Sequence, residues 1–249
     1  MLSFFTRKKT IVVDCFTSLA SVYEYTPIVK AFQAIPEWWK KLEPLKDVHV
    51  MDFRRPTRQQ NMKACPGIIE LYKRGYILEY WADGRFNINE KNYTYDITVG
   101  TPPYSHDRSQ FKGSFENFHH IKLNSPWFFR EKSRQPFMFI GCEWSNELPI
   151  KILPGVVQFK TVSATNVNIM VPIMEKPWEF ELFMGTPLAH IIPLNDDINV
   201  EFRNHLISES ELEKMVTVGG LTFGGHRQID RLVARNEKRE KSKCPFGFS

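Results

Sequence analysis

Trp178-Glu-Phe-Glu-Leu-Phe-Met-Gly-Thr-Pro-Leu-Ala-His-Ile-Ile-Pro193 is the stretch whose reading decides the fold. Trp178, Phe180, Leu182 and Met184 alternate with Glu179, Glu181 and Phe183, the period-two pattern of a strand with one buried face. Gly185-Thr186-Pro187 breaks the ladder, because Gly permits a positive φ and Pro lacks a donor; Leu188 to Ile192 resumes it until Pro193. The stretch reads as two core strands joined by a bend.

Outward from it, runs of similar character fall at residues 10–16, 76–81, 85–89, 93–99, 119–123, 137–144, 149–153, 156–162, 167–173 and 199–202. Strands at that spacing, with turn signals such as Pro154-Gly155 between them, predict a mainly β protein. The expected form is an antiparallel β-sandwich or jelly roll, cupin-like, in a single domain. Asp83-Gly84 between two alternating runs predicts a hairpin, and residues 100–113 form the longest expected loop.

Helices are expected where the period changes. Thr26-Pro27 reads as an N-cap and first turn, with Ile28, Val29, Phe32 and Ile35 on one stripe. Pro36 opens a second short helix carrying Trp38 and Trp39, and Pro66 to Arg74 a third closed by Gly75. Ser208-x-x-Glu211 is a capping box. These signals divide the chain into a β-sandwich domain over 1–205 with a helical N-terminal insert (26–42, 66–74), then a helical basic tail over 206–249, solvated and fraying.

With 249 residues, 42% hydrophobic and 14% aromatic, the chain is long enough to bury one large core. Cys15, Cys65, Cys142 and Cys244 show no paired spacing, so neither a zinc site nor a disulfide framework is expected. The formal charge is +5, and residues 226–243 alone carry seven Lys or Arg against three acids. No apolar run reaches the length of a membrane span, and no membrane partner is expected.

Candidate chemistry is sparse. His106, Asp107, His119 and His120 are the residues from which a jelly roll could build a two-histidine, one-carboxylate iron site. Against it, His106 and Asp107 are adjacent, and His119 and His120 must point to opposite faces of a strand. The favoured expectation is therefore no metal and no cofactor, with iron as the alternative; His190 reads as a core histidine. Glu179 and Glu181 share a solvent face. Arg54, Arg55 and Arg58 form a compact basic turn, and Arg227, Arg231 and Arg235 recur every fourth residue along one helix stripe; both suit phosphate or carboxylate binding. No Walker, Gly-x-Ser-x-Gly or His-Glu-x-x-His pattern occurs.

Leu123-Asn-Ser-Pro-Trp127, Leu153-Pro-Gly-Val-Val157 and Gly185-Thr-Pro-Leu-Ala-His-Ile-Ile-Pro193, in that order, resemble a family of uncharacterised proteins of contractile-tailed bacteriophages, notably cyanophages, with distant bacterial relatives. Residues 11–16 and 36–41 resemble the phage branch. The resemblance spans roughly 10–205, implies an all-β domain and a phage setting, and brings no activity with it. The resulting expectation is a non-enzymatic phage protein that acts by binding, as a minor virion component or a host-directed binder, in the host cytoplasm or the virion. The alternatives are a jelly-roll non-haem metal enzyme and a nucleic-acid accessory protein acting through the basic tail. Expected partners are virion or host proteins, with nucleic acid at the tail and a homo-oligomer as further options.

Overall fold

The computed structural model describes residues 8–43, 45–48, 57–145, 148–160, 162–221 and 225–243. The chain is mainly β. In chain order the strands are β1 (Lys9–Thr17), β2 (Val29–Lys30), β3 (Leu45–Val48), β4 (Thr57–Gln60), β5 (Tyr76–Glu79), β6 (Gly84–Ile88), β7 (Tyr93–Ile97) and β8 (Thr101–Ser105). The series continues with β9 (Phe118–Arg130), β10 (Pro136–Gly141), β11 (Lys151–Ile152), β12 (Gly155–Gln158), β13 (Ser163–Pro172), β14 (Trp178–Leu182), β15 (Pro187–Pro193) and β16 (Ile198–Leu206). The α-helices are α1 (Ala20–Tyr25), α2 (Glu37–Lys41), α3 (Pro66–Lys73), α4 (Glu209–Leu221) and α5 (Gly225–Lys243).

Two curled sheets face one another in an arrangement compatible with a β-sandwich. The six-stranded sheet runs β11-β13-β9-β1-β16 with β8 also on β9, and the five-stranded sheet runs β12-β10-β15-β5-β2. A three-stranded sheet, β14-β6-β7, continues the wall, and β3 and β4 form a separate ribbon. Alternation decides which residues face inward: Val13, Cys15, Ile121, Leu123, Phe129, Val167 and Ile169 from one sheet meet Leu78, Phe137, Ala189 and Ile191 from the other. Phe202 of β16 lies at the joint. It stacks on Tyr76 at 4.2 Å and meets Phe129 and Phe137 edge-on at 5.6 and 5.9 Å. Two residues on, Asn204 accepts from the Ile28 amide at 3.2 Å and donates to its carbonyl at 3.1 Å, fastening β16 to the segment entering β2.

Among the described residues the pairing is antiparallel except for β1 with β16, which are parallel from Lys9↔Ile198 to Thr17↔Leu206. This pair joins the start of the β region to its end, and it extends the β region to Leu206, past the expected limit near Phe202. Pro126 is tolerated inside the thirteen-residue β9 because it falls between the residues that β9 pairs to β8 and to β1, opposite a register shift in β13 at Ala164/Asn166.

The bend at Gly185 is present, with φ +87°, and joins strands of two different sheets. The chain crosses in parallel fashion at Tyr80–Asp83, and the two crossings brace one another: Gly185 N donates to Tyr80 O at 2.8 Å, Tyr80 N to Thr186 O at 2.7 Å, and Met184 N to Asp83 Oδ1 at 2.9 Å. The hairpin expected at Asp83-Gly84 is therefore corrected, since β5 and β6 belong to different sheets. Gly84 is needed for space, because a Cβ there would lie 2.7 Å from the Tyr80 hydroxyl. The hairpin is β6–β7, turned by Asn89, whose Oδ1 accepts the amides of Lys91 and Asn92 at 2.9 Å each.

The helix expected from Thr26 is likewise corrected. Thr26 ends α1, its hydroxyl donating to Val22 O at 3.2 Å, and the chain then runs extended into β2 and a 3-10 turn at Ala31–Ala34. Asn204 on Ile28 and the Trp127 indole on Thr26 O, at 3.1 Å, hold that backbone and override its local helical pattern. By contrast α2 begins after Pro36 as expected, and α3 begins at Pro66 and ends before Gly75 at φ +74°. The loop expected at 100–113 contains β8, and Pro154-Gly155 leads from one sheet to the other.

The capping box at Ser208 and Glu211 forms, with amide-to-side-chain bonds of 3.3 and 3.2 Å. The helices beyond it are not a solvated appendage. Leu212, Met215 and Ile229 join Phe16, Val162 and Ile207 in a second core on the outer side of the six-stranded sheet. Asp230 reaches the fully buried Arg130 guanidinium at 2.9 Å and Lys132 at 2.6 Å. Burial alone would raise the Asp230 carboxyl, but its bonds to Lys132 and Arg130 outweigh that and hold it low. Among the described residues no helix is long and apolar enough to cross a membrane.

This packing sets the cost of two substitutions. Phe202→Ala is expected to cost about 3–5 kcal/mol in urea unfolding, because it empties the joint between the sheets. Asp230→Ala is expected to cost about 2–3 kcal/mol and to speed proteolytic cleavage within α5, because it strips the carboxylate from a buried guanidinium.

Candidate anion-binding groove

The iron site weighed as the alternative does not assemble among the described residues. His119 and His120 lie on opposite faces of β9, as alternation requires, and both are buried. His119 Nε2 is 2.7 Å from Asn89 O, while His120 stacks on Phe111 at 3.4 Å. His106 lies near His120, and burial followed by that neighbour lowers the His120 pKa. The Asp107 carboxylate turns instead to the Ser109 amide at 2.8 Å. Among the described residues no three His, Cys, Asp or Glu side chains are grouped to hold a metal.

The basic candidates separate. Arg54 and Arg55 lie outside the described residues, Arg58 falls in β4, and Arg227 falls in α5. Arg231 is exposed, whereas Arg235 pairs with Glu211 of α4. That pair forms one wall of a groove of about 930 Å³ between the start of α1, the end of β16, α4 and α5. Lys214, Arg235 and Arg239 line it with Ser18, Ser208 and Ser210, and Glu211 is the one carboxylate on it among the described residues. Glu211 is already spoken for. Burial would raise it, but the amide and hydroxyl of Ser208 and the Arg235 guanidinium hold it below the usual range. The Asn236 amide nitrogen, also on the lining, is buried without a hydrogen-bond partner. Lys214 and Arg239, beside the Arg235–Glu211 pair, and the serine hydroxyls make this groove suited to phosphate-like anions.

Of the arginine stripe read from sequence, Arg235 lines the groove and Arg231 does not, while Arg239, four residues beyond Arg235 on the same helix, lines it too. Lys214 and Asn236 carried no signal of their own, because only the packing of α4 on α5 brings them together.

A second polar group lies on the outer face of the five-stranded sheet. Tyr72 and Ser145 share a 2.8 Å hydrogen bond, and His190 Nε2 donates to Arg74 O at 2.6 Å. His190 is buried, as expected, and burial lowers its pKa despite that bond. Burial pushes the Cys142 thiol up, with Glu143 and Glu79 adding to it, and pushes the Glu79 carboxyl up to about 7. Compared with known proteins, the chain matches no family model and no curated protein sequence.

Glu79 makes a pH-dependent prediction. The folded state holds its proton between 4.5 and about 7, where the unfolded chain releases it, so its contribution is full at low pH and is lost as pH rises through 7. Glu79→Gln is therefore expected to raise the urea midpoint at about pH 8 and to leave it unchanged near pH 4. Equal midpoints at both pH values would contradict this account of the carboxyl.

Proposed function

We propose that the protein works by binding rather than by catalysis, and that the groove lined by Lys214, Arg235 and Arg239 takes a phosphate-bearing polymer, with nucleic acid as the ligand class. The observation that carries this reading is the composition of that groove: Lys214 and Arg239 beside an Arg235–Glu211 pair that satisfies the carboxylate on its lining, with serine hydroxyls between them. A guanidinium and an ammonium along a groove meet successive phosphates without reading bases, so the binding is expected to be sequence-tolerant and salt-sensitive. The basic helix takes part through its docked face, and α4 and β16 supply the rest.

From the resemblance carried by residues 123–127, 153–157 and 185–193, we further propose a phage setting, with the protein as a minor virion component or a host-directed binder in the host cytoplasm. The β-sandwich reading, in jelly-roll form, belongs to the same proposal. Mass spectrometry of purified virions against infected-cell lysate separates the two roles. Stoichiometric presence in particles supports the virion component, and presence in lysate alone supports the host-directed binder.

The groove is tested with fluorescent single- and double-stranded DNA. Binding is expected to weaken with added salt with a log–log slope of about −2 to −3, matching two to three phosphates. Lys214→Gln with Arg239→Gln is expected to lower affinity about tenfold or more and to flatten that slope, with the far-UV circular dichroism unchanged. Affinity and slope equal to those of the unaltered protein would overturn the assignment.

A further inference from the structure

Two surfaces remain that the proposed nucleic-acid groove does not use, and they are opposite in charge. The first is a groove of about 590 Å³ where the edge strand β2 of one sheet approaches the edge strand β16 of the other. Among the described residues Lys8, Lys30, Lys73 and Arg74 line it with Asp196, which pairs with Arg74 at 2.5 Å; Lys73 pairs with Glu70 at 2.9 Å, so the four cations exceed these two carboxylates, and Phe32 stands 65% exposed at the rim. The second is the outer face of the three-stranded sheet. Glu181, Arg85 and Asp96 lie side by side across β14, β6 and β7, with Glu179 in the next outward row and Asp83 at the margin. Four carboxylates thus surround one arginine, and Phe183 stands 59% exposed beside them. The Arg85 pKa is raised by its bond and charge contact with Glu181 first, then by Glu179 and Asp96.

The placement of the two surfaces is set by the strands. β5 starts at Tyr76 on the cationic groove and leads through its crossover to Asp83 on the acidic face. β15 returns from Pro187, just past Phe183, to Pro193 on the cationic groove. Seven strand residues span roughly 20 Å, so the surfaces sit at opposite ends of the same two strands and cannot meet within one molecule.

We infer that the protein associates head to tail with a second copy of itself, the acidic face of one molecule seated on the cationic groove of the next. Opposite charge on the two surfaces, an exposed phenylalanine on each, and their separation by the length of β15 all point to this occupant. Such a contact is heterologous. It leaves a free surface at each end and therefore propagates into a ring or an open filament.

Sedimentation velocity of the full chain tests this. At about 50 mM salt the mean mass is expected to rise above 29.2 kDa with increasing protein concentration, and at about 500 mM salt to return to it. Lys30→Glu with Lys73→Glu, and separately Asp96→Lys with Glu179→Lys, change only exposed side chains. Each pair is expected to raise the dissociation constant at least about tenfold. Mixing the two variants is expected to restore association, because each retains the surface the other has lost, and this recovery shows that both are folded. Phe32→Ser is expected to weaken association and Lys214→Gln to leave it unchanged. A mass that stays at 29.2 kDa at every concentration in low salt, association undiminished in the charge variants, or a mixture that does not recover would each overturn the inference.

Discussion

The stacking of Phe202 on Tyr76, with Phe129 and Phe137 against its edges, is the contact on which the rest depends. These rings come from β16, β5, β9 and β10, so one cluster ties the two sheets at the side where β16 has no further strand to pair with. Each such aromatic pair contributes on the order of 1 kcal/mol beyond the area it buries. The parallel register of β1 with β16 then fixes where Phe202 falls, and Asn204 uses the same strand to hold Ile28 extended. The failure of the local helical pattern at Thr26 is thus a consequence of β16, which lies far away in sequence.

Both cationic grooves are also products of β16. Its first residues, Ile198 to Val200, line the groove against β2, and its last, Leu206, begins the wall that α4 and α5 complete. A strand that closes a sheet edge without a neighbour leaves space at either end, and the chain has filled the borders of that space with lysine and arginine. Another groove on that sheet, between β1, β16 and α5, has a different character. There Lys9, Lys132 and Arg203 mix with Asp14, Glu131, Asp230 and Glu237, and Glu131 is satisfied by the amides of Ser133 and Gln135. That arrangement suits an internal seam that holds α5, and it offers little net field to a ligand.

What was legible in the sequence was local. Period-two runs placed most strands, Pro36 and Pro66 started short helices, Gly75 ended one, and Ser208 with Glu211 capped α4. Sheet membership was not legible, because the signal at Asp83-Gly84 is the same for a hairpin and for a crossover, and only the partners of β5 and β6 distinguish the two. The alternation that buries Phe180 and Leu182 likewise says nothing about which sheet receives them. At the candidate groove the arginine stripe was visible because it lies on one helix. Lys214 and Ser18 were not, since they arrive from other elements.

The distribution of charge shows why a net value misleads. The excess in residues 226–243 suggests a free cationic tail, yet α5 spends part of its charge in docking: Arg235 on Glu211, Asp230 on Arg130 and Lys132, and Glu237 on Arg203 at 3.4 Å. In the pair with Arg130 the guanidinium is fully buried and the Asp230 side chain 43% exposed, so salt screens it only in part, whereas Lys30 and Lys73 are exposed and lose their reach beyond about 8 Å at physiological ionic strength. Salt therefore acts unequally on this molecule. It weakens what the cationic surfaces attract at concentrations where α5 stays seated, so binding and self-association can be titrated with the fold intact.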